Sequence, residues 1–121
     1  MVLRKTWQDF DRVCQRLADH ILAQGRKFKV IAGPQRGGLI MAARLSYLTG
    51  IRYKYGSMRL TDDQVIVDDY TRTGKTLATW IRNAEAKPYI VTWLHSAESE
   101  VTPAFWLEEL HGTVIMPWQT E

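Results

Sequence analysis

Residues 65–77 read Val65-Ile66-Val67-Asp68-Asp69-Tyr70-Thr71-Arg72-Thr73-Gly74-Lys75-Thr76-Leu77. The Val-Ile-Val run marks a buried strand. Two adjacent carboxylates end it, and a Thr/Gly turn then opens a helix. Carboxylates accept paired hydrogen bonds from vicinal ribose hydroxyls, or hold them through a hydrated Mg²⁺. Backbone N–H groups at a helix start, with threonine hydroxyls beside them, seat an anion. Acids suited to a diol, followed at once by donors suited to a phosphate, match a sugar phosphate end to end. Single acids often do no more than cap a helix; an acid pair with this Thr/Gly set after an apolar strand asks for more. Gly74-Lys75-Thr76 looks like the tail of a nucleotide-binding P-loop. That motif needs a glycine five positions before Gly74, and Asp69 stands there, so the spacing excludes it.

On either side of this segment, strand and helix patterns alternate. Residues 6–24 read as a helix with Thr6 as N-cap and Asp9 in its first turn. Phe10, Val13, Cys14, Leu17, Ile21 and Leu22 fall on its apolar face, and Gly25 ends it. Residues 29–33 form a short apolar strand, 34–38 a Pro/Gly loop, and 39–49 a second helix stopped by Gly50. Strands follow at 51–58 and 64–68, separated by a turn at 61–63. After the loop at 69–74 come a helix at 75–86, a strand at 89–94, a short helix at 103–110 and a last strand at 113–116. This order predicts a single α/β domain over residues 1–121, Rossmann-like, with a mainly parallel sheet flanked by helices. Ligands bind such sheets beyond the carboxyl ends of the strands. The loops at 33–38 and 69–74 both sit there. Gly37 and Gly38 let the backbone approach a ligand closely, or simply make a tight strand–helix turn.

All 16 Lys and Arg lie at or before Lys87, among eight acids, for a net of 16 − 8 = +8; from Pro88 onward five Glu give −5. The basic part could attract a phosphorylated metabolite. No block of five or six basic residues occurs, which argues against nucleic acid as partner. No apolar run approaches the roughly 20 residues that span a bilayer, and no signal peptide is visible at the N-terminus. The lone Cys14 cannot form an internal disulfide, fits a core position and suits a reducing cytoplasm.

The 65–77 segment resembles the PRPP-binding signature of type I phosphoribosyltransferases: a hydrophobic strand, two acids, two variable residues, then Thr-Gly-(Gly/Lys)-Thr. Elsewhere the chain is similar to the bacterial xanthine–guanine enzymes. Gln35-Arg36-Gly37-Gly38-Leu39 resembles their pyrophosphate loop, Leu48-Thr49-Gly50-Ile51-Arg52 the close of the next helix, and Pro117-Trp118 their terminal Pro-Trp. The resemblance implies a reaction of PRPP with a nucleobase, of purine type, with Mg²⁺ as cofactor and pyrophosphate released. It assigns Thr71, Arg72, Thr73, Gly74, Lys75 and Thr76 to the 5-phosphate, and Gln35, Arg36, Gly37 and Gly38 to pyrophosphate. Asp68 and Asp69 fall to the ribose and to Mg²⁺, directly or through water. Asp68, Asp69 and Arg36 would be the catalytic set, and Tyr70, His95, Ser96 and Val114 the base pocket. A non-proline cis peptide beside Arg36 and a homo-oligomer, dimer or tetramer, are implied too.

Four departures qualify this. Arg72 replaces the Asp that sits near the purine N7, and an arginine is no base at neutral pH. Ser96, with His95 beside it, replaces the Lys that recognises the 6-oxo group. Thr113 replaces the aromatic that stacks on the base; Trp93, Phe105 or Trp106 could supply a ring instead. Between residues 51 and 64 there is room for a strand and a tight turn, not for the long loop that closes over PRPP. The expected activity is therefore phosphoribosyl transfer. The alternative is a non-catalytic binder of PRPP or a nucleotide, acting as a sensor or regulator.

Overall fold

The computed structural model describes residues 2–54 and 59–119. The elements are β1 (Val2–Arg4), α1 (Trp7–Ala23), β2 (Val30–Ala32), α2 (Gly37–Thr49), β3 (Arg52–Tyr53), β4 (Gln64–Thr71), α3 (Lys75–Ile81), β5 (Tyr89–His95), β6 (Phe105–Glu109) and β7 (Thr113–Ile115). A five-stranded sheet has the order β3-β2-β4-β5-β6, and every pairing in it is parallel. This is the expected α/β architecture of one small domain.

Alternation along the central strands sorts the core into two layers. Val65, Val67, Val91 and Trp93 face α1 and α2, meeting Leu17, Ile21, Met41 and Leu45. Ile66 and Ile90 face the other way, toward Leu77 of α3 and Leu60. Cys14 is buried in the first layer, and burial pushes its thiol up to about 12. α1 begins as expected: Asp9 N–H donates to Thr6 Oγ1 (3.0 Å) and Thr6 N–H to Asp9 Oδ2 (2.8 Å), a reciprocal cap. Leu22, assigned to the apolar face of α1, is exposed instead; Ala18 is buried. Gly50 ends α2 in the left-handed conformation at φ 75°.

Several boundaries move for tertiary reasons. The segment expected as a helix at 103–110 is strand β6, paired with β5 from Val91↔Phe105 to His95↔Glu109. Phe105 and Trp106 favour a pleated surface, and the open edge of β5 supplies the backbone partners a short helix would have left unmet. β4 continues three residues past Asp68, because Tyr70 and Thr71 still pair with Leu94 and His95. α3 stops at Ile81 rather than at 86, and Glu85 N–H turns away to donate to Leu60 O (3.0 Å). β1 was not anticipated. It pairs in parallel with β7, so the last strand joins the N-terminus rather than the main sheet. Of the strand expected at 51–58, β3 forms at Arg52–Tyr53, and residues 55–58 lie outside the described residues. Among the described residues no helix is long and apolar enough to cross a membrane.

Candidate active site

The carboxyl ends of β2 and β4 place two adjoining cavities at one end of the sheet. The larger, about 240 Å³, is lined by the 35–37 loop, Asp68, Asp69, Tyr70 and Thr76, with Trp118 and Gln119 from the C-terminal turn. The smaller, about 110 Å³, is lined by Asp68 and the run from Tyr70 to Leu77. Asp68, Tyr70 and Thr76 line both, so the two cavities form one continuous cleft.

Glycine brings the first loop onto the acids. A Cβ on Gly37 would lie 2.0 Å from Asp69 Oδ2, and one on Gly38 would lie 2.6 Å from Val67 O and 3.1 Å from Asp68 Oδ1. The main chain of the 33–38 loop thus lies directly against the end of β4, an approach only glycine permits. Arg36 is the N-cap residue of α2, and the Gln35–Arg36 peptide is cis, as the resemblance implies.

Asp68 and Asp69 are both buried. Asp68 Oδ1 accepts from Asp69 N–H (2.9 Å), and Asp69 Oδ1 from Tyr70 N–H (2.8 Å). Burial, reinforced by the Asp69 charge, holds the Asp68 carboxyl well above the usual carboxylate range. Burial also raises Asp69, against hydrogen bonds that favour its ionised form. Among the described residues neither acid has a salt-bridge partner, and no third His, Cys, Asp or Glu joins them in a metal-holding group. Such a pair fits a cation that draws its remaining ligands from water and from substrate oxygens, not a metal caged by protein alone.

The second loop is polar throughout. Gly74 takes φ 78°, and its Cα packs so closely on the 99–101 segment that a Cβ would lie 2.4 Å from Ser99 Oγ. Lys75 N–H approaches Thr73 Oγ1 (3.4 Å), and α3 starts with Ala78 N–H donating to Gly74 O (2.8 Å). Arg72 is exposed; its Nη2 donates to Gly112 O (3.1 Å), and its guanidinium lies 5.9 Å from the Tyr70 ring centre.

Every residue that the resemblance assigns to the 5-phosphate or to pyrophosphate lines one cavity or the other, except Gly38, which packs against Val67 O and Pro34. The assigned base pocket is not brought together. Tyr70 lines the cleft. Ser96 Oγ accepts from Glu98 N–H (3.2 Å), Val114 sits in the core, and His95 is buried against Trp106. Of the rings offered as substitutes, Trp93 is fully buried with Nε1 donating to Glu108 (2.8 Å), and Phe105 stacks on His20 at 3.7 Å. The aromatic in the cleft wall besides Tyr70 is Trp118, wedged against Trp7 and Phe10. Its signal in the sequence was the terminal Pro-Trp, which carried no site role.

No protein-family model matches the chain, and no curated protein matches it by sequence. Solved structures do. A purine phosphoribosyltransferase from Pyrococcus horikoshii Ot3 is 29% identical with a TM-score of 0.86, over 99% of this chain and 95% of that one. A xanthine-guanine-hypoxanthine phosphoribosyltransferase from Helicobacter pylori superposes at TM-score 0.81 with 13% identity, over 98% and 92% of the two chains. A hypothetical protein from Neisseria gonorrhoeae with bound ppGpp gives 0.75 and 16%, over 99% and 90%. At these lower identities the likeness is one of fold.

Proposed function

We propose that this chain, which belongs to the type I phosphoribosyltransferase family, transfers the phosphoribosyl group of PRPP to a purine-type base and releases pyrophosphate. The observation that carries this reading is the contact of Gly37 with Asp69. It joins a backbone loop, an acid pair and a threonine-rich turn into one cleft, the three parts a pyrophosphorylated ribose 5-phosphate needs.

In this reading the 71–76 turn holds the 5-phosphate with N–H and hydroxyl donors. Asp68 and Asp69 accept from the ribose hydroxyls. Arg36 and the N–H groups of Gly37 and Gly38 hold the leaving pyrophosphate. Mg²⁺, when bound with the substrate, supplies charge neutralisation for the phosphates. Catalysis is then mostly positioning and electrostatic stabilisation. Tyr70 and Trp118 are the rings in the cleft wall available to a planar acceptor. The purine assignment is supported by the acceptor class of the Pyrococcus relative.

Two observations favour the second reading, a PRPP- or nucleotide-binding regulator. Arg72 stands where the reaction would use an acid, and a protein of the same fold carries ppGpp. Calorimetric titration with PRPP, with and without Mg²⁺, tests both readings: micromolar, Mg²⁺-dependent binding is expected, and no binding defeats both. Pyrophosphate release across a panel of purine and pyrimidine bases then separates them, since turnover with a purine establishes the transferase and silence across the panel establishes the regulator.

A further inference from the structure

β5 ends at His95, and the chain that follows stays beside the 71–76 turn. Ser96 N–H donates to Thr71 O (2.9 Å) and Glu100 N–H to Thr73 O (2.8 Å). Ser99, Glu100 and Val101 press on Gly74. A side-chain bond joins the two segments as well, between His95 Nδ1 and Thr71 Oγ1, at 2.5 Å, with its direction depending on the imidazole tautomer. Both residues are buried, Thr71 at 2% and His95 at 6% exposure, so water does not compete for the bond. They are direct partners in the β4–β5 register.

The ring of His95 is itself held. The Trp106 ring lies 4.6 Å away at a 48° tilt, and Trp106 Nε1 donates to Glu109 Oε1 (3.0 Å). Both come from β6, which the sheet order sets beside β5. Thr71 is the last residue of β4 and also lines the smaller cavity. It is the joint between a rigid strand and the turn that presents donors, so a group fixing its side chain fixes the direction in which that turn leaves the sheet.

We propose that His95 is a positioning residue for the anion cradle: acting through Thr71, it sets the orientation of the 71–76 donors and thereby tunes the affinity for a phosphomonoester. This rests on the reading above, in which that cradle takes the 5-phosphate. It moves His95 away from base recognition, since the residue lines neither cavity. Removing one partner of a buried hydrogen bond leaves the other unsatisfied, which corresponds to about a tenfold loss where the bond shapes a binding loop.

Ribose 5-phosphate and inorganic pyrophosphate, titrated separately by calorimetry, read the two halves of the cleft. Native protein is expected to bind both. His95→Leu should lose about tenfold for ribose 5-phosphate and less than twofold for pyrophosphate, while His95→Asn, which keeps a polar atom at the Nδ1 place, should recover to within about threefold of native. Equal losses for the two ligands, no loss in His95→Leu, or no recovery in His95→Asn would each overturn the assignment. Nitrogen NMR of the native protein gives the answer without any variant. Ribose 5-phosphate should shift the His95 imidazole nitrogens and leave those of His20 and His111 in place; an unmoved His95 at saturation defeats the proposal. Failure of the native protein to bind ribose 5-phosphate at all would instead remove the phosphate-site reading itself.

Discussion

The two loops at the end of the sheet are held by different physics. The 33–38 loop is wedged. Its glycines bring main chain onto Asp69 Oδ2 and Val67 O at distances no side chain could share, and no side chain caps α2 behind it. The 71–74 turn is tied. The N–H groups of Ser96 and Glu100 donate to it, and the His95 ring shares a hydrogen bond with Thr71. A wedge tolerates no added atom, whereas a tie can lose one strand and keep the others. The first loop should therefore fail abruptly on mutation and the second by degrees.

The largest expected effect comes from the acids where the loops meet. Asp68→Asn/Asp69→Asn should weaken PRPP binding by about a hundredfold or more in calorimetry, from the loss of two sets of charge-assisted hydrogen bonds. Ligand-free stability should change in the opposite sense. Both carboxyls are raised in the fold, so the folded protein binds more protons than the unfolded chain once pH passes the ordinary carboxylate range, about 4. Native stability therefore falls as pH rises from there through the raised values, and the double variant should melt above native protein at pH 7 while converging with it near pH 4. A variant less stable than native at pH 7 would contradict the burial argument.

Breaking the wedge comes next. Gly37→Ala puts a Cβ 2.0 Å from Asp69 Oδ2, and such overpacking costs roughly 1–3 kcal/mol. Pyrophosphate binding should fall by at least about tenfold, with ribose 5-phosphate less affected; the reverse ranking would dissolve the distinction between the loops. At Gly74 the tied turn is also packed tightly, and Gly74→Ala combines a φ of 78° with a 2.4 Å approach to Ser99 Oγ, an atom at the end of a side chain that can shift. A cost of about 1 kcal/mol, read by thermal melting, is expected for the left-handed backbone alone, with ribose 5-phosphate binding reduced more than pyrophosphate binding.

The smallest effect lies outside both loops and serves as their control. Burial would raise the Glu108 carboxyl, but hydrogen bonds from Lys5 (2.9 Å) and Trp93 (2.8 Å) hold it below its usual value. Glu108→Gln should cost up to about 1 kcal/mol at pH 7, since the carboxylate is partly exposed, and leave both ligand affinities unchanged. The lowered value makes this stability fully present above the ordinary glutamate range, about 4, and lost as pH falls from there through the lowered value, so the gap between native and variant melting points should close on acidification below that range.

Much of this site was legible in the chain before folding. A Val-Ile-Val run, two acids and a Thr/Gly turn are local signals, because burial of a strand, donors at a helix start and glycine's freedom each depend on a few consecutive residues. The pairing of strand with helix along the chain likewise implied a parallel sheet with its loops at one end. What periodicity could not carry was the partner of each strand. Residues 103–110 read as a helix, and within them 105–109 became β6 through the open edge of β5. His95 read as a base contact and was turned by strand register onto Thr71.

By itself, then, the sequence determined the α/β class, the two loops and the acid pair between them, since these rest on short-range backbone and side-chain chemistry. Only the tertiary structure decided that Gly37 touches Asp69, that His95 bonds to Thr71 at the start of the 71–76 turn, and that the β1–β7 pairing and the C-terminal turn bring Trp118 into the cleft. Those contacts join residues far apart in the chain, and their geometry exists only once the sheet order has been set.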